Sequence, residues 1–157
     1  MTERHYLAPG AFDRVFNGAV ALLARLGVSL YGSRVLAVRG RKSGEWRTVP
    51  VNLLEHGGKR YLVAPRGETE WVRNLRASGA GELRVGSRRE PFRAVEIDGA
   101  EKLSVLRVYL QRWWFEVSRF FDVTGPSADD AELAGVAPRH PVFRIEAWSE
   151  RTAPPFR

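Results

Sequence analysis

Residues 34–64 read RVLAVRGRKSGEWRTVPVNLLEHGGKRYLVA, and the pattern of this stretch decides the fold. A short β-prone run at 34–38 leads into a turn at 40–44 that is bounded by glycines. From 47 to 54 the side chains alternate in character, with valine or leucine recurring at every second position, which is typical of a strand. Pro50 lacks the N–H group that a central strand needs, so it predicts an edge or a bulge.

Glycine-rich turns and short links connect the predicted strands. Gly57-Gly58 closes a hairpin onto a strand at 59–64. Further strands are predicted at 82–85, 91–97 and 142–148. Strands joined by short links pair antiparallel, because a parallel pair needs a long crossover. The pattern predicts an α+β fold in which about six mostly antiparallel strands, five of them within 34–97, close into a β-barrel with helices outside.

Three helices are predicted to flank this barrel. Residues 9–30 carry the apolar spacing of an amphipathic helix. A short helix begins after Thr69, a capping residue, and ends at Gly79. The longest helix, 101–121, has an apolar stripe at Leu103, Leu106, Leu110, Trp113, Val117 and Phe120. Residues 124–139 are predicted to form a polar loop.

Length and composition limit the class of protein. At 157 residues, with no internal repeat or linker, residues 1–157 are predicted to form a single domain. The chain has no cysteine, which excludes disulfides, iron–sulfur ligation and cysteine nucleophiles and fits a reducing compartment. Because neither a signal peptide nor a membrane-spanning stretch is visible, we expect a cytoplasmic location and at most peripheral membrane contact.

The net charge is +7, and nearly all of the cations are arginine. A guanidinium group matches phosphate and carboxylate oxygens, so the excess indicates an anionic partner. Nucleic acid, a membrane surface and a phosphorylated small molecule all fit, as does a merely solvated surface. Nucleic acid is the least favoured partner, because single-strand binders interleave exposed aromatic residues with cations, whereas most aromatic residues here fall on apolar helical faces.

The densest cluster of cations is Arg39-Gly40-Arg41-Lys42-Ser43-Gly44, followed by Arg47. Its two glycines allow a tight turn that a ligand can approach closely, and successive N–H groups can form a nest for an anion. The spacing differs from that of a Walker A loop, and no helix follows. The cluster therefore predicts a phosphate site, with a basic surface hairpin as the alternative.

A second candidate segment is Ala64-Pro65-Arg66-Gly67, which precedes the short helix. The N-terminus of a helix offers an anion unpaired N–H groups and a favourable dipole. Trp71, at the start of that helix, could lie against a flat ring. The alternative is that Trp71 and Leu75, four residues apart, belong to the core.

Taken together, the two segments resemble the deazaflavin (F420)-dependent nitroreductase and quinone reductase family. The motifs that carry the resemblance are GRKSG at 40–44 with Arg47 and Pro50, and WVRNLRA at 71–77. The resemblance extends over 36–97 and returns at 138–143. It implies a split β-barrel, similar to the FMN-binding split barrels, and the cofactor F420, whose phosphate and glutamate tail would explain the cations.

The resemblance also implies which residues contact the cofactor. Arg41, Lys42, Ser43 and Arg47 would hold the phosphate and the tail. Thr48, Val49 and Pro50 would lie against the deazaflavin ring. Ala64, Pro65, Arg66 and Gly67 would lie near the ribityl and phosphate portion, and Trp71, Val72 and Asn74 complete the set. FMN, which also needs a phosphate clamp, is the alternative cofactor, but it has no glutamate tail for the surplus arginines.

The C-terminal third departs from the nitroreducing relatives, which place tyrosines in the substrate pocket after the long helix. Here Trp113 and Trp114, together with Tyr31, are predicted to line the pocket, and Tyr109 is the candidate proton donor. Tryptophan cannot replace a tyrosine hydroxyl as a proton donor, so nitroimidazole reduction is not favoured. The three histidines lack the spacing of metal ligands, and no metal is expected.

The sequence is interpreted as that of an F420-dependent oxidoreductase. It would transfer a hydride from reduced deazaflavin to an apolar small-molecule acceptor: a quinone, an activated alkene or a nitro compound. It would act as a monomer or homodimer without nucleic acid. The alternatives are an FMN-binding split-barrel reductase and a non-catalytic F420 carrier.

Overall fold

The structure, a computed structural model, describes residues 33–149. The predicted helix at 9–30 and Tyr31 lie outside these residues. The strands are β1 Ser33–Arg39, β2 Trp46–His56, β3 Lys59–Val63, β4 Ala80–Val85, β5 Arg88–Glu96 and β6 Val142–Ala147. The helices are α1 Glu70–Ser78, α2 Gly99–Val117 and α3 Asp130–Val136, with 3-10 turns at Ser118–Phe120 and Ala137–Arg139.

The six strands form a closed barrel in the order β1-β2-β3-β6-β5-β4. Every neighbouring pair is antiparallel, which confirms the predicted pairing. The last strand enters between β3 and β5 and so closes a barrel whose other strands precede the long helix. Of the helices in the described part of the chain, none combines the length and apolar character that a membrane crossing requires.

Strand β2 changes neighbours partway along its length. Its first part, 46–52, pairs with β1, whereas 53–56 pair with β3. Among the described residues, 46–52 have no strand on their second side, and we call this segment the open half of β2. Pro50 lies within it, opposite Val35, as its missing N–H group predicts.

Two hydrophobic clusters hold the elements together. Leu36, Leu62, Phe92 and Phe143 of the strands pack with Val72 and Leu75 of α1, and all six are buried. On the other side of the sheet, α2 packs its predicted apolar stripe against strand residues that include Leu54 and Tyr61. Each fully buried leucine or phenylalanine contributes about 1.5–3 kcal/mol, so packing rather than helix propensity fixes α1 and α2 on the barrel.

The prediction of a polar loop at 124–139 was wrong, because α3 lies within it. The Asp129 carboxylate accepts a hydrogen bond from the Glu132 N–H group at 2.9 Å and caps this helix. The Glu132 carboxylate in turn accepts from the Thr124 N–H and hydroxyl groups, both at 2.8 Å. Leu133 and Val136 are buried against α2. Two apolar side chains three residues apart were too short a pattern to reveal the helix.

Helix α2 ends earlier than predicted and changes geometry near its end. Trp113 has φ −121° and ψ 21°, outside the helical region, and the α-helix stops at Val117 before a 3-10 turn. Beyond this turn, the Phe121 ring stacks on the His140 ring with centroids 3.9 Å apart. The final aromatic residues are therefore redirected from the straight stripe that the spacing predicts.

Candidate functional site

The loop between β1 and β2 is a compact turn built on Gly40. The Gly40 N–H group donates to the Glu45 carbonyl and the Gly44 N–H group donates to the Gly40 carbonyl, each at 2.8 Å. The Ser43 hydroxyl accepts from the Glu45 N–H group at 3.2 Å. A Cβ atom at Gly40 would lie 2.8 Å from Ser43 Oγ and 3.7 Å from Arg47 Nε. A side chain at position 40 would therefore displace the Ser43 hydroxyl, so Gly40 leaves room for the predicted anion ligands Ser43 and Arg47 beside the turn.

Arg41 joins this loop to helix α1. Its N–H group donates to Asn74 Oδ1 at 3.1 Å, and its guanidinium NH1 donates to the same oxygen at 2.9 Å. NH1 also contacts Glu70 Oε2 at 2.7 Å in an ion pair. Asn74 is buried, with 4% of its surface exposed. Glu70 and Asn74 are four residues apart and so share the face of α1 that meets the loop.

Lys42 and Arg47 differ from Arg41 in having no partner. Neither side chain makes a hydrogen bond or an ion pair with any residue in 33–149, and both residues are exposed. The Lys42 charge is near enough to Glu70 to contribute to the lowering of that carboxyl's pKa, although the Arg41 hydrogen bond is the main cause. One cation in the turn and one just after it are therefore not paired within the described part of the chain.

The second predicted segment, 64–67, follows β3, and together with Glu68 and Thr69, which lead into α1, it forms what we call the 64–69 segment. The Ala64 N–H group donates to the Pro141 carbonyl at 2.9 Å, and the Gly67 N–H group donates to the Ala64 carbonyl at 3.2 Å. The Arg66 guanidinium lies 5.6 Å from the centre of the Phe120 ring. This contact brings the segment next to the aromatic end of the α2 region.

Thr69 occupies the predicted N-cap position of α1 but does not cap the helix. Its backbone is extended, and its side chain makes no capping hydrogen bond. The Thr69 hydroxyl oxygen is nevertheless buried and has no partner in the described part of the chain. A buried hydroxyl without a partner costs roughly 1–3 kcal/mol, so this atom is suited to a ligand. At the other end of α1, Gly79 has φ 69° and ends the helix as predicted.

An ion-pair network fixes the 64–69 segment to α1. Arg76 forms two hydrogen bonds to Glu68, at 2.9 and 3.1 Å, and two to Glu96, at 2.8 and 2.9 Å. The pKa of Glu68 is lowered, chiefly by its hydrogen bond to Arg76. Sequence analysis missed this network. Its only sequence signal is the presence of opposite charges in elements that the fold brings together.

This network predicts an acid-sensitive term in the free energy of unfolding. Because the folded pKa of Glu68 lies below its usual value of 4.5, its contribution is fully present above about pH 4.5 and is lost as the pH falls through the folded pKa. We expect Glu68→Gln to lower the urea midpoint at about pH 6 and to have a smaller effect at a pH well below the usual pKa of the carboxyl. An equal loss at both pH values would mean that Glu68 acts through packing alone.

The predicted ring-facing residues of β2 do not share one face. Successive strand side chains point to opposite sides. Val49 packs against the cluster inside the barrel, as does Trp71, whose ring centroid lies 6.1 Å from that of Phe143. Thr48 instead lines a cavity of about 450 Å³ on the side of β4, together with Arg84 and Arg89. Val72, the neighbour of Trp71, is fully buried in the interior cluster.

The predicted acceptor-side residues lie mostly in the core. Tyr109 is 2% exposed and packs its ring 5.1 Å from that of Trp113, which has no exposed surface. Burial raises the pKa of the Tyr109 phenol well above its usual range, so the hydroxyl stays protonated. Trp114 is half-buried at the edge of the same cluster. No group of three or more His, Asp or Glu side chains in 33–149 could hold a metal ion.

The closed barrel of six antiparallel strands with helices packed on it has the split-barrel architecture. The F420H(2)-dependent quinone reductase family model matches residues 15–119. The chain belongs to this family, and it is an oxidoreductase. The match supports F420 as the cofactor and leaves the FMN alternative without support. Among proteins with curated functions, no significant match was found.

Solved structures share the fold at low sequence identity. An F420-H2 dependent reductase, FDR-A, is 23% identical over 75% of this chain and 97% of its own, with a TM-score of 0.51. A chain that forms a domain-swapped dimer is 20% identical over 86% of this chain and 93% of its own, with a TM-score of 0.54. HutZ, the heme storage protein from Vibrio cholerae, is 9% identical over 76% of this chain and 83% of its own, with a TM-score of 0.53.

The described residues fit a cofactor with a phosphate and an acidic tail. Lys42 and Arg47 offer cationic groups without partners, and Thr69 offers a buried hydroxyl without one. Ser43 accepts one hydrogen bond within the turn and keeps its own O–H group available to an anion. Trp71, Val49 and the open half of β2 supply apolar and backbone surface nearby. The donor set therefore matches the chemistry of F420.

Proposed function

We propose that this chain transfers a hydride from reduced F420 to an apolar acceptor: a quinone, an activated alkene or a nitro compound. The observation that carries the proposal is a pair of cations, Lys42 in the turn and Arg47 in the open half of β2, that have no partner within 33–149. A cofactor phosphate and glutamate tail would neutralise them, and each charge-assisted contact contributes about 1.5–3 kcal/mol.

The protein's own part in this reaction is to bind and orient the cofactor and to exclude water. Lys42, Arg47 and Ser43 would hold the phosphate and the tail, and the Thr69 hydroxyl would complete the polar contacts. When bound, F420 supplies a hydride from C5 of its deazaflavin ring. Thr48, Pro50 and the 64–67 segment remain proposed members of the cofactor site, to which Arg41 belongs through its position in the turn.

The acceptor side is proposed to be the aromatic end of the α2 region. Phe120 is half-buried and lies beneath the Arg66 guanidinium, which links this region to the 64–69 segment. Trp114 is half-buried in the same cluster. Rings with few polar groups favour a flat apolar acceptor over a charged one. Tyr109 is 2% exposed, and burial raises its pKa so that the hydroxyl stays protonated. Because this hydroxyl is buried, we propose that the proton for the reaction comes from solvent instead.

Steady-state oxidation of reduced F420 tests the acceptor class. We expect turnover with quinones and activated alkenes to exceed turnover with nitroimidazoles at matched concentration, because no exposed tyrosine hydroxyl of 33–149 serves the developing anion. The protein-free rate with each acceptor is the control. Tight F420 binding with no acceptor reduced above that rate would instead support a non-catalytic carrier.

Titration with oxidised F420 and with FMN, followed by absorbance and fluorescence, tests the cofactor. We expect F420 to bind more tightly, because only F420 carries the additional carboxylates that the cations can neutralise. Tighter binding of FMN would contradict the proposed cofactor. Sedimentation at two protein concentrations would distinguish a monomer from a homodimer, the two states that the sequence leaves open.

A further inference from the structure

Helix α1 is attached to both loops of the candidate cofactor site. Near its beginning, Glu70 and Asn74 bind Arg41 of the 40–45 loop at 2.7–3.1 Å. Near its end, Arg76 binds Glu68 of the 64–69 segment. The helix itself is fixed by Val72 and Leu75, which have no exposed surface. The separation of the two loops is therefore determined by a helix whose buried side packs against the interior cluster of the barrel.

Asn74 makes the central contact of this arrangement. One side-chain oxygen accepts from both the Arg41 N–H group and the Arg41 guanidinium, and the residue is 4% exposed. An exposed asparagine gains little from such a contact, but a buried carbonyl oxygen has to be paired. Because one of the two donors is a backbone N–H group, Asn74 constrains the path of the loop as well as the Arg41 side chain.

Arg41 is correspondingly committed within the protein. The two N–H bonds of its NH1 atom are directed to Glu70 and Asn74, and the Glu70 carboxylate neutralises its charge at 2.7 Å. Its Nε and NH2 atoms make no bond within 33–149, but the Glu70 carboxylate beside it offsets the positive charge that an arriving phosphate would meet. Neither Lys42 nor Arg47 is paired with a carboxylate within 33–149.

From this geometry we infer that Asn74 is a positioning residue. It holds Arg41 as an internal clamp, and the clamp shapes the turn from which Lys42, Ser43 and Arg47 bind the anionic part of the cofactor. Arg41 itself does not bind that anion. The inference rests on the proposed cofactor site, and it reassigns Arg41 and Asn74, which the family resemblance implies to be direct contacts.

A mutant cycle tests the clamp by the dissociation constants of two ligands, F420 and a truncated deazaflavin that lacks the phosphate and tail. The variants are Asn74→Ala, the paired change Arg41→Ala with Glu70→Gln, and all three together. The two residues are changed together because removing Arg41 alone would leave the negative charge of Glu70 without its ion-pair partner near the ligand. Lys59→Ala is the control, because this exposed lysine follows the far end of β2, about 30 Å along the strand from Arg47.

We expect Asn74→Ala and the paired change each to weaken F420 binding about tenfold, and the triple variant to be weakened no more than about twofold further. Affinity for the truncated deazaflavin should stay within about twofold of the wild type throughout. A general folding defect would weaken both ligands alike. The salt dependence of F420 binding should stay as in the wild type, because the cations that meet the anion are retained.

The opposite results would overturn the clamp. If Arg41 binds the anion directly, the paired change and Asn74→Ala should act additively, and the paired change should flatten the salt dependence. If Asn74→Ala does not fold, the paired change alone still tests whether Arg41 binds the anion. The test is then the salt dependence of F420 binding and the ratio of the affinities for F420 and the truncated deazaflavin. Wild-type protein that does not bind F420 would overturn the proposed function itself, and the clamp with it. Normal wild-type binding with additive variants would overturn the clamp alone.

Discussion

F420 with its phosphate and glutamate tail is expected to bind at least about a hundredfold more tightly than the truncated deazaflavin. Two charge-assisted contacts, from Lys42 and Arg47, would be lost with the truncated ligand, and each contributes about 1.5–3 kcal/mol. Neither cation has an internal partner in 33–149, so no ion pair has to be broken before they bind. Fluorescence titration of wild-type protein with both ligands measures the difference.

The double variant Lys42→Ala with Arg47→Ala should abolish most of this preference. Its melting temperature should move little, because neither side chain is bonded to another described residue. Lys59→Ala provides the matched control for loss of one positive charge. Equal affinity of the wild type for the two ligands would remove the phosphate-clamp argument. A large loss of stability with an unchanged preference would make the two cations structural.

The barrel could be predicted from the sequence because local residue patterns specify its strands. Alternation along 47–54 and the glycines at 57–58 specify a strand and a hairpin without reference to the rest of the chain. Pro50 even indicated that this part of β2 has an open side, and the register with β1 agrees. No local pattern specifies that β6 lies between β3 and β5. That position depends on which strand edges remain after the other strands have paired.

Helix α3 was not predicted, because its stability also depends on residues that are distant in sequence. Its apolar signal consists of Leu133 and Val136, and both are buried by α2, an element distant in sequence. The Asp129 cap and the Glu132 contacts to Thr124 stabilise the helix beginning only once the chain is folded back on itself. A short helix whose stability comes from tertiary packing has too few periodic positions to stand out.

At the candidate site, the sequence indicated which types of residue lie together but not which of them are paired within the protein. Arg41, Lys42 and Arg47 look alike as cations, yet Arg41 alone is neutralised within the protein. That distinction depends on the position of α1, which sets Glu70 and Asn74 opposite the loop. The sequence predicts Trp113 in the acceptor pocket because its aromatic ring could wall it, and Tyr109 as a proton donor because of its hydroxyl. The fold instead buries both against the barrel.

Trp113→Ala is expected to lower the free energy of unfolding by about 3–5 kcal/mol, the usual cost of removing a large buried aromatic side chain. Trp113 has no exposed surface, and its ring packs 5.1 Å from that of Tyr109 and 4.6 Å from the Arg112 guanidinium. The loss would leave a cavity that the rigid outer face of the barrel cannot close. Urea denaturation monitored by circular dichroism measures the change.

Phe115→Ala on the same helix is the matched control, because that ring is 65% exposed and the change in helix propensity is similar. Its effect should stay within about 0.5 kcal/mol. The comparison also separates the two roles open to Trp113. If Trp113 walls the acceptor pocket rather than supporting the core, its substitution should lower kcat/KM with quinones while the stability stays close to that of Phe115→Ala. A large loss of stability, with kcat/KM for quinones retained at low temperature where the variant is still folded, would assign Trp113 to the core and leave Trp114 and Phe120 as the pocket-facing aromatic residues of the described chain.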